Sequence, residues 1–312
     1  MKKRFLIAGL ALVLAGGLAF VVGMSALGWN FALLDSEVYE AKTFELESSP
    51  ESLSLVSVDV RNAEIKIVTG SEIKIEYEES DRLKYSVVYD EEAKSLVMEE
   101  IYSVPKIFGM FNFHNQVITI TVPKVDKLNL ESTNGKIEVP SGVYDEIDIE
   151  TTNGVVEIND VIAVRGVEVS TTNSRITLSN IRAERGKIEA HSTNGVIVFS
   201  DITANSAEGK TTNGQITASD VETAKLSLIT TNGPVVCNRI DIEESAFFKS
   251  TNGNITASFV GSMSDFTVEG YTTNGDIYPG NVVGGSKRIE CHSTNGDIRL
   301  TFERGEHEND HE

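Results

Sequence analysis

The stretch IEVPSGVYDEIDIETTNGVVEIND, residues 137–160, places a Thr-Asn-Gly corner between two segments in which Val and Ile alternate with polar residues. Alternation with a period of two predicts β-strands that bury one face. The same phrase returns along the chain, with its asparagines at Asn134, Asn153, Asn173, Asn194, Asn213, Asn232, Asn252, Asn274 and Asn295. Each repeat is therefore predicted to be a strand, a Thr-Asn-Gly corner and a second strand.

The spacing of the repeat predicts the fold class. Successive asparagines are 19, 20, 21, 19, 19, 20, 22 and 21 residues apart, and the third residue after each is Ile or Val. Coils of about 20 residues made of strands alone, each pairing with the next, form a β-solenoid. We predict an all-β, single-stranded, right-handed solenoid of about nine to ten coils, with an N-terminal β cap and one preceding transmembrane helix.

The corner itself is interpreted as architecture rather than chemistry. Asn and Gly are the residues that best tolerate positive φ, so the sequence predicts a corner that requires it. Asparagines stacked at the same corner of each coil are expected to hydrogen-bond to one another in a ladder. One repeat departs from the pattern, with Ser174 in the place of Gly.

Five segments follow from these patterns. Asn62, followed by Ile65 and Ile67, fits the same template and predicts a degenerate first coil. The predicted segments are a membrane anchor at 1–28, a linker at 29–50, the first coil and β cap at 51–124, the solenoid at 125–302 and a charged tail at 303–312.

The N-terminus predicts a membrane anchor. Residues 5–28 carry no charged side chain and follow Lys2, Lys3 and Arg4. A helix of this length would rise about 36 Å, enough to cross a hydrocarbon core of ~30 Å. The preceding basic residues predict a single-pass protein of the cell membrane, with a cytoplasmic N-terminus and the bulk of the chain outside the cytoplasm. A cleaved signal peptide is the alternative, although its apolar region is usually shorter.

Charge and cysteine content exclude several classes of protein. The formal net charge of −20 argues against nucleic acid as a partner, because nucleic acid selects basic surfaces. Cys237 and Cys291 fall at apolar positions three repeats apart. Stacking in chain order would separate them by about 14 Å along the axis, too far for a disulfide. We therefore predict two free, buried thiols.

Candidate sites for chemistry are weak. Asp201 and Asp220 recur at a second corner of adjacent coils, where they could share a cation or form a pair like that of a glycosidase. Turn formation is the simpler interpretation of these acids. The tail contains His307-Glu308-Asn309-Asp310-His311, but a polar tail offers no face on which a helical zinc site could form. No cofactor site and no catalytic residue is predicted.

Two surfaces are candidates for binding. One threonine precedes every asparagine of the repeat, which predicts a file of outward hydroxyls along one edge. Residues 104–115, VPKIFGMFNFHN, are unusually apolar and are predicted to cap the solenoid or to contact a partner or the bilayer.

The repeats from NLESTNGKIEV to CHSTNGDIRL, behind an N-terminal anchor, resemble a bacterial β-strand-repeat family labelled "putative adhesin". This family is a domain of unknown function with relatives tied to envelope stress, and the resemblance covers roughly residues 50–301. It implies a non-enzymatic protein that binds an envelope or membrane protein, or a cell-wall polymer, as an adhesin-like scaffold or a stress regulator. A carbohydrate-active enzyme using the corner carboxylates and a self-assembling surface protein remain the alternatives.

Overall fold

The computed structural model describes residues 21–22, 25–26, 38–102 and 116–303. Most of the predicted anchor at 5–28, the whole loop at 104–115 and residues 304–312 of the acidic tail, with its two histidines, lie outside these residues. Within the described part of the chain, no helix is both long enough and apolar enough to span a bilayer.

Residues 38–102 and 116–303 form an all-β structure, interrupted by one short 3-10 helix at Met263–Asp265. Its strands are β1 (Glu40–Glu45), β2 (Ser52–Val60), β3 (Ala63–Thr69), β4 (Lys74–Glu79), β5 (Leu83–Asp90), β6 (Ser95–Tyr102), β7 (Gln116–Val122), β8 (Lys124–Ser132), β9 (Ile137–Val139), β10 (Gly142–Thr151), β11 (Val156–Thr171), β12 (Ile176–Ser192), β13 (Ile197–Lys210), β14 (Ile216–Ile229), β15 (Val235–Ser250), β16 (Ile255–Val260), β17 (Phe266–Tyr271), β18 (Ile277–Tyr278), β19 (Lys287–Ser293) and β20 (Ile298–Glu303).

Each central coil has three sides, because the alternation of buried residues is broken at three corners. In the coil of Asn153, the buried positions are Val156 and Ile158, then Val161 and Ala163, then Val167, Val169 and Thr171. Two exposed pairs, 159–160 and 164–165, separate these groups, and the Thr-Asn-Gly corner closes the coil. The inward β-branched residues stack on those of neighbouring coils and form one continuous core.

The third corner sets the length of each coil. Three residues separate the inward side chains that flank this corner in the coil of Asn153, Ala163 and Val167, and four, two, two and three residues separate their counterparts in the next four coils. These counterparts are Ala183 and Ile188, Ala204 and Ala207, Thr223 and Leu226, and Ile242 and Ala246. The asparagine spacings for the same coils are 20, 21, 19, 19 and 20. The strand ladders accordingly change register here, for example between Ile162 and Gly166. The irregular period of the repeat is therefore a difference in one corner, and the other two sides keep their register.

The coils of the centre stack in parallel and in chain order, from β8 and β9 through β15 and β16. The two ends do not follow this rule. At the C-terminal end, β19 lies between β15 and β17, and β20 lies between β16 and β18. At the N-terminal end, β2 lies between β6 and β8, and β3 lies between β7 and β9. The expectation that every coil pairs with the next in sequence is therefore wrong at both ends.

Antiparallel strands and a returning loop cover the two ends of the stack. At the N-terminal end, β5 pairs with β6, β4 pairs with β7 and β1 pairs with β4, all antiparallel. At the C-terminal end, the backbone N–H and C=O of Val268 bond to Val282, and Asn281 Oδ1 accepts from the N–H of Gly270. These strands and this loop form hydrogen bonds with backbone groups of the terminal coils, to which another chain could otherwise pair.

The two cysteines are free and buried, which confirms the prediction. Because the last two coils are exchanged in space, Cys291 lies on the coil two layers from that of Cys237 rather than three. Burial raises the pKa of the Cys291 thiol to about 12, and it raises that of Cys237 as well. Both side chains therefore act as small apolar core residues.

Candidate functional site: the Thr-Asn edge and the face beside it

The Thr-Asn-Gly corner is held by a buried hydroxyl at the second position before each asparagine. Thr230 shows the arrangement: its Oγ1 accepts from the N–H of Gly233 at 3.2 Å and donates to the carbonyl oxygen of Gly214, on the preceding coil, at 2.9 Å. Ser250 repeats both contacts one coil further on. The hydroxyl thus closes its own corner and ties it to the corner below, which explains why this position is always Ser or Thr.

The asparagines of the corner form a continuous ladder. Each Nδ2 donates to the Oδ1 of the asparagine on the adjacent coil, at 2.5–2.7 Å. Each backbone N–H also donates to a carbonyl of the adjacent coil, as from Asn213 to Thr193 at 2.9 Å. The ladder runs in the spatial order Asn62, Asn134, Asn153, Asn173, Asn194, Asn213, Asn232, Asn252, Asn295, Asn274.

The glycine of the corner is required by close approach and not by a left-handed backbone. None of the asparagines or glycines of the repeat lies in the positive-φ region, so the reason expected from the sequence is wrong. A Cβ added at Gly214 would lie 1.8 Å from the carbonyl oxygen of Gly195. Ser174, the one exception, turns its Oγ to donate to the carbonyl oxygen of Asn153 at 2.6 Å.

The threonines that precede the asparagines line the outer edge of the stack, beside the ladder. Their hydroxyls are not needed to close the corner, because the buried Ser or Thr one residue earlier does so. All are exposed or half-exposed, and in chain order they are Thr133, Thr152, Thr172, Thr193, Thr212, Thr231, Thr251, Thr273 and Thr294.

A groove of about 390 Å³ runs along the inner margin of this edge. Its outer wall includes Thr193, and its other wall is a column of four side chains on adjacent strands, Glu150, Ser170, His191 and Lys210. These four occupy the third position before the asparagine of their coils and pair directly in the parallel ladder. The groove therefore presents hydroxyls, an imidazole and charges of both signs, a set that suits hydrogen bonding to a polar ligand.

The linear sequence does not reveal this column. His191 and Lys210 are not part of a recognisable binding motif in the linear sequence. They lie side by side only because their strands pair in register. Reading the third position before every asparagine, coil by coil, would have placed them side by side.

The outer face next to the groove is acidic. The fifth position before the asparagine carries Asp148, Glu168, Glu189 and Glu208 on consecutive coils. Burial, followed by repulsion from Glu168, raises the pKa of Asp148. Lysine partly compensates, as where Lys187 Nζ lies 2.8 Å from Glu189 Oε2. This face thus repels anions and carries like charges at strand spacing.

Asp201 and Asp220 lie at the second corner, on the opposite side of the coil from the groove. Both have positive φ, 56° and 55°, as do their counterparts Asp160, Asn180 and Arg239. Arg239 Nε forms an ion pair with Asp220 Oδ1 at 2.8 Å, and Asp201 Oδ2 accepts from the Ser200 hydroxyl. No group of three or more acids, histidines or cysteines in the described ranges could hold a metal ion. The geometry gives these acids a role in turning the chain.

Another groove, of about 420 Å³, lies at the third corner. It forms where the two coils with short corners lie between coils with longer ones. Arg182, Asn205, Glu222 and Glu243 are among the side chains that line it. This groove is a direct consequence of the uneven asparagine spacing.

Comparison with known proteins agrees with this architecture. The family described as Toastrack DUF4097 matches residues 53–301. A structure from Parabacteroides distasonis, named a "putative adhesin", has a TM-score of 0.52 and 14% identity, covering 85% of this chain and 98% of its own. A "putative adhesin" from Bacteroides fragilis has a TM-score of 0.48, 14% identity and the same coverage. A "putative lipid binding protein" from P. distasonis has a TM-score of 0.40 and 13% identity, over 85% of this chain and 96% of its own. No protein with a curated description matches the chain.

Proposed function

The chain belongs to the Toastrack DUF4097 family, and we propose that it is an adhesin-like binding protein of the cell envelope that uses the Thr-Asn edge and its groove as the contact surface. The name of the similar "putative adhesin" structure from P. distasonis agrees with a protein that acts by binding. In this proposal, residues 5–28 insert in the membrane and the solenoid stands outside it, in right-handed coils.

The observation that carries the proposal is the groove of about 390 Å³ beside the edge. Three of its lining hydroxyls, those of Thr151, Ser192 and Thr211, close corners of the repeat. The column of Glu150, Ser170, His191 and Lys210 and the outer Thr193 make no such contact and remain available to a ligand. An exposed line of hydroxyls backed by Glu150, His191 and Lys210 offers both donors and acceptors to a ligand.

The position of the N-terminus supports an upright arrangement. The described chain enters through β1, at the end of the stack where β4, β5, β6 and β7 lie. An anchor preceding β1 would therefore hold the solenoid by this end and leave the coils of Asn274 and Asn295 farthest from the membrane. The ten asparagine-bearing coils and the β6–β7 layer give a stack about 50 Å long.

The proposed partner is a cell-wall polymer or a foreign surface that lies along the edge. A membrane protein that senses envelope stress is the alternative partner, and it would make the chain a regulator. The enzymatic alternative is less well supported, because Asp220 is engaged by Arg239 and both corner acids serve the turn. Self-assembly is also less well supported, because the ends of the stack are covered.

Site-specific photo-crosslinking in living cells tests the proposal. A photoreactive residue replaces Thr193, in the groove, and in a matched chain it replaces Thr177, on the outer face of a different side. We expect the full chain to capture material at position 193 and not at position 177. Wall polymer or foreign surface material would establish adhesion, and a membrane sensor would establish regulation. Equal capture at both positions, or none at 193, would rule out the edge as the contact surface.

A further inference from the structure

The outer face beside the Thr-Asn edge changes character at its C-terminal end. In the central coils its fifth and third positions before the asparagine are mostly charged or small, whereas the last three layers carry Phe247, His292 and Tyr271. Arg288, Glu290 and Glu269 complete this surface, which we term the aromatic patch.

The rings of the aromatic patch form a diagonal row across β15, β19 and β17. The centroids of Phe247 and His292 are 5.6 Å apart, with an interplanar angle of 57°. Those of His292 and Tyr271 are 5.0 Å apart in an edge-on arrangement. Tyr271 is 51% exposed. A half-exposed ring on a flat, rigid strand face can stack on an apolar surface of a ligand without a large loss of conformational entropy.

The charged side chains in and beside the aromatic patch carry equal numbers of positive and negative charges. Arg288 Nη2 lies 3.1 Å from Glu269 Oε2 and 3.3 Å from Glu290 Oε2. The other oxygen of Glu290, Oε1, lies 2.8 Å from His292 Nε2. Arg288 and Lys249, which pairs with His292 in the parallel ladder, together balance the two carboxylates of Glu269 and Glu290. In a protein with a net charge of −20, this surface is therefore locally balanced and offers little attraction to a polycation or a polyanion.

The same side chains retain hydrogen-bonding capacity. Both contacts of Arg288 use Nη2, which leaves the donors on Nη1 and Nε without a hydrogen-bond partner among the described residues. Within the described residues, the Tyr271 hydroxyl and Glu269 Oε1 make no hydrogen bond. A ligand that fits has an apolar face for the ring, several hydroxyl groups at its rim and no net charge.

We propose that the aromatic patch binds a neutral pyranose sugar of a surface polysaccharide. A pyranose ring presents a C–H face that stacks on Tyr271 and equatorial hydroxyls that bond to Arg288 and Glu269. The inference rests on the proposed binding function and names its ligand class, at the end of the solenoid that lies farthest from β1.

A glycan array probed with the labelled full chain tests the inference. The array carries neutral oligosaccharides of glucose, galactose, mannose and N-acetylglucosamine, with sulfated oligosaccharides as the anionic comparison. We expect binding to at least one neutral group, reduced by roughly tenfold in Tyr271→Ala and retained in Tyr271→Phe, which keeps the ring. Tyr278→Ala is the matched control, since Tyr278 is 70% exposed on the same terminal coil but outside the patch.

Each outcome separates the two proposals. Binding that survives Tyr271→Ala, binding lost equally in Tyr278→Ala, binding to sulfated glycans alone or no binding to any glycan would overturn the sugar site. If crosslinking at position 193 still occurs in those cases, the proposed function stands without this site. Should Tyr271→Ala fold poorly, Arg288→Gln provides the same comparison, because it removes the paired charge and keeps the rings.

Discussion

From the coil of Asn134 to that of Asn252, the order of the coils in the chain is also their order in space, whereas at both ends the order is exchanged. The first coil, with Asn62, lies beneath the later β6–β7 layer, and the last coil, with Asn295, lies beneath the earlier coil of Asn274. The first and last coils are thereby bonded along both edges. The repeated motif thus specifies the shape of a single coil, but it does not specify the order in which the coils stack at the two ends.

A physical reason follows for the exchange. In a solenoid stacked strictly in chain order, the first and last coils would each have one unpaired edge and would fray or recruit another chain. Placing these coils one layer inward leaves the outermost position to a coil whose chain continues in both directions. The end is then fixed by covalent connection as well as by hydrogen bonds.

The largest expected effect is in the centre of the stack. Ile216 is fully buried, so Ile216→Asp places a carboxylate with no partner in the core. The desolvated charge and the lost packing together should exceed the free energy of unfolding, which is about 5–15 kcal/mol for a typical domain, and the variant should therefore be unfolded. Thr217→Asp, one residue later and facing outward, should fold normally by circular dichroism. A folded Ile216→Asp would mean that the inward and outward faces are assigned wrongly.

Glycine substitutions compare the central corners with the C-terminal loop. Gly214→Ala puts a Cβ against the carbonyl oxygen of Gly195 and should cost about 3 kcal/mol. Gly284→Ala, in the loop over the terminal coil, meets no atom within 4 Å and should change stability by less than about 0.5 kcal/mol. Denaturant unfolding measures both, and equal costs would contradict the close-approach explanation.

Hydrogen exchange tests the inserted last coil directly. Because β19 is paired on both edges, its amides should exchange about as slowly as those of the central β14. The edge strand β1, paired only to β4, should exchange much faster and serves as the internal reference. Rapid exchange in β19 would show that the coil frays as a simple chain end does.

The asparagine ladder predicts a smaller difference, in the stability lost when an asparagine is replaced at the centre of the ladder or at its end. Asn194 donates to Asn173 and accepts from Asn213, whereas Asn274, at the end of the ladder, only donates, to Asn295. Asn194→Ala should therefore cost about 1–2 kcal/mol and Asn274→Ala about half as much. Thermal unfolding of both variants checks this, and identical losses would argue that the ladder contributes little beyond each separate corner.

The smallest expected effect concerns the acidic face and its pH dependence. The pKa of Asp148 is raised above its ordinary value of 3.8, so the folded protein binds this proton more tightly than the unfolded chain does. The contribution to stability therefore increases as the pH falls from neutral through the raised pKa, and it levels off below 3.8. Asp148→Asn should raise the stability at pH 7 by a few tenths of a kcal/mol and flatten this slope. If the stability of the variant depended more steeply on pH than that of the unaltered protein, the direction of the pKa shift assigned to Asp148 would be wrong.

The sequence predicted the elements of the fold well and the ends poorly. Alternation of Val and Ile, the spacing of the asparagines and the recurring Ser or Thr were sufficient for the coils, the ladder and the exposed threonines. They were not sufficient for the exchange at the ends, because nearly identical coils can pair with one another in any order. They also led to the wrong reason for the glycines, since a carbonyl at 1.8 Å from the Cβ position belongs to a different coil.

Among the candidate binding surfaces, too, one could be predicted from the sequence and the others could not. The threonine file is visible in the sequence because its members share one motif. The groove column of Glu150, Ser170, His191 and Lys210 and the aromatic patch are not, because each draws one residue from each of several coils. For the aromatic patch the exchange of coils is decisive, since it places His292 between Phe247 and Tyr271.

By itself, then, the sequence determined that this protein is made of β-strand coils with a Thr-Asn-Gly corner, because the pattern of buried and exposed residues within a coil is local. Only the tertiary structure decided which coil lies on which. Register between strands depends on hydrogen bonds and packing between residues as far apart as Asn252 and Asn295, and a repeated motif contains no information that distinguishes one such pairing from another.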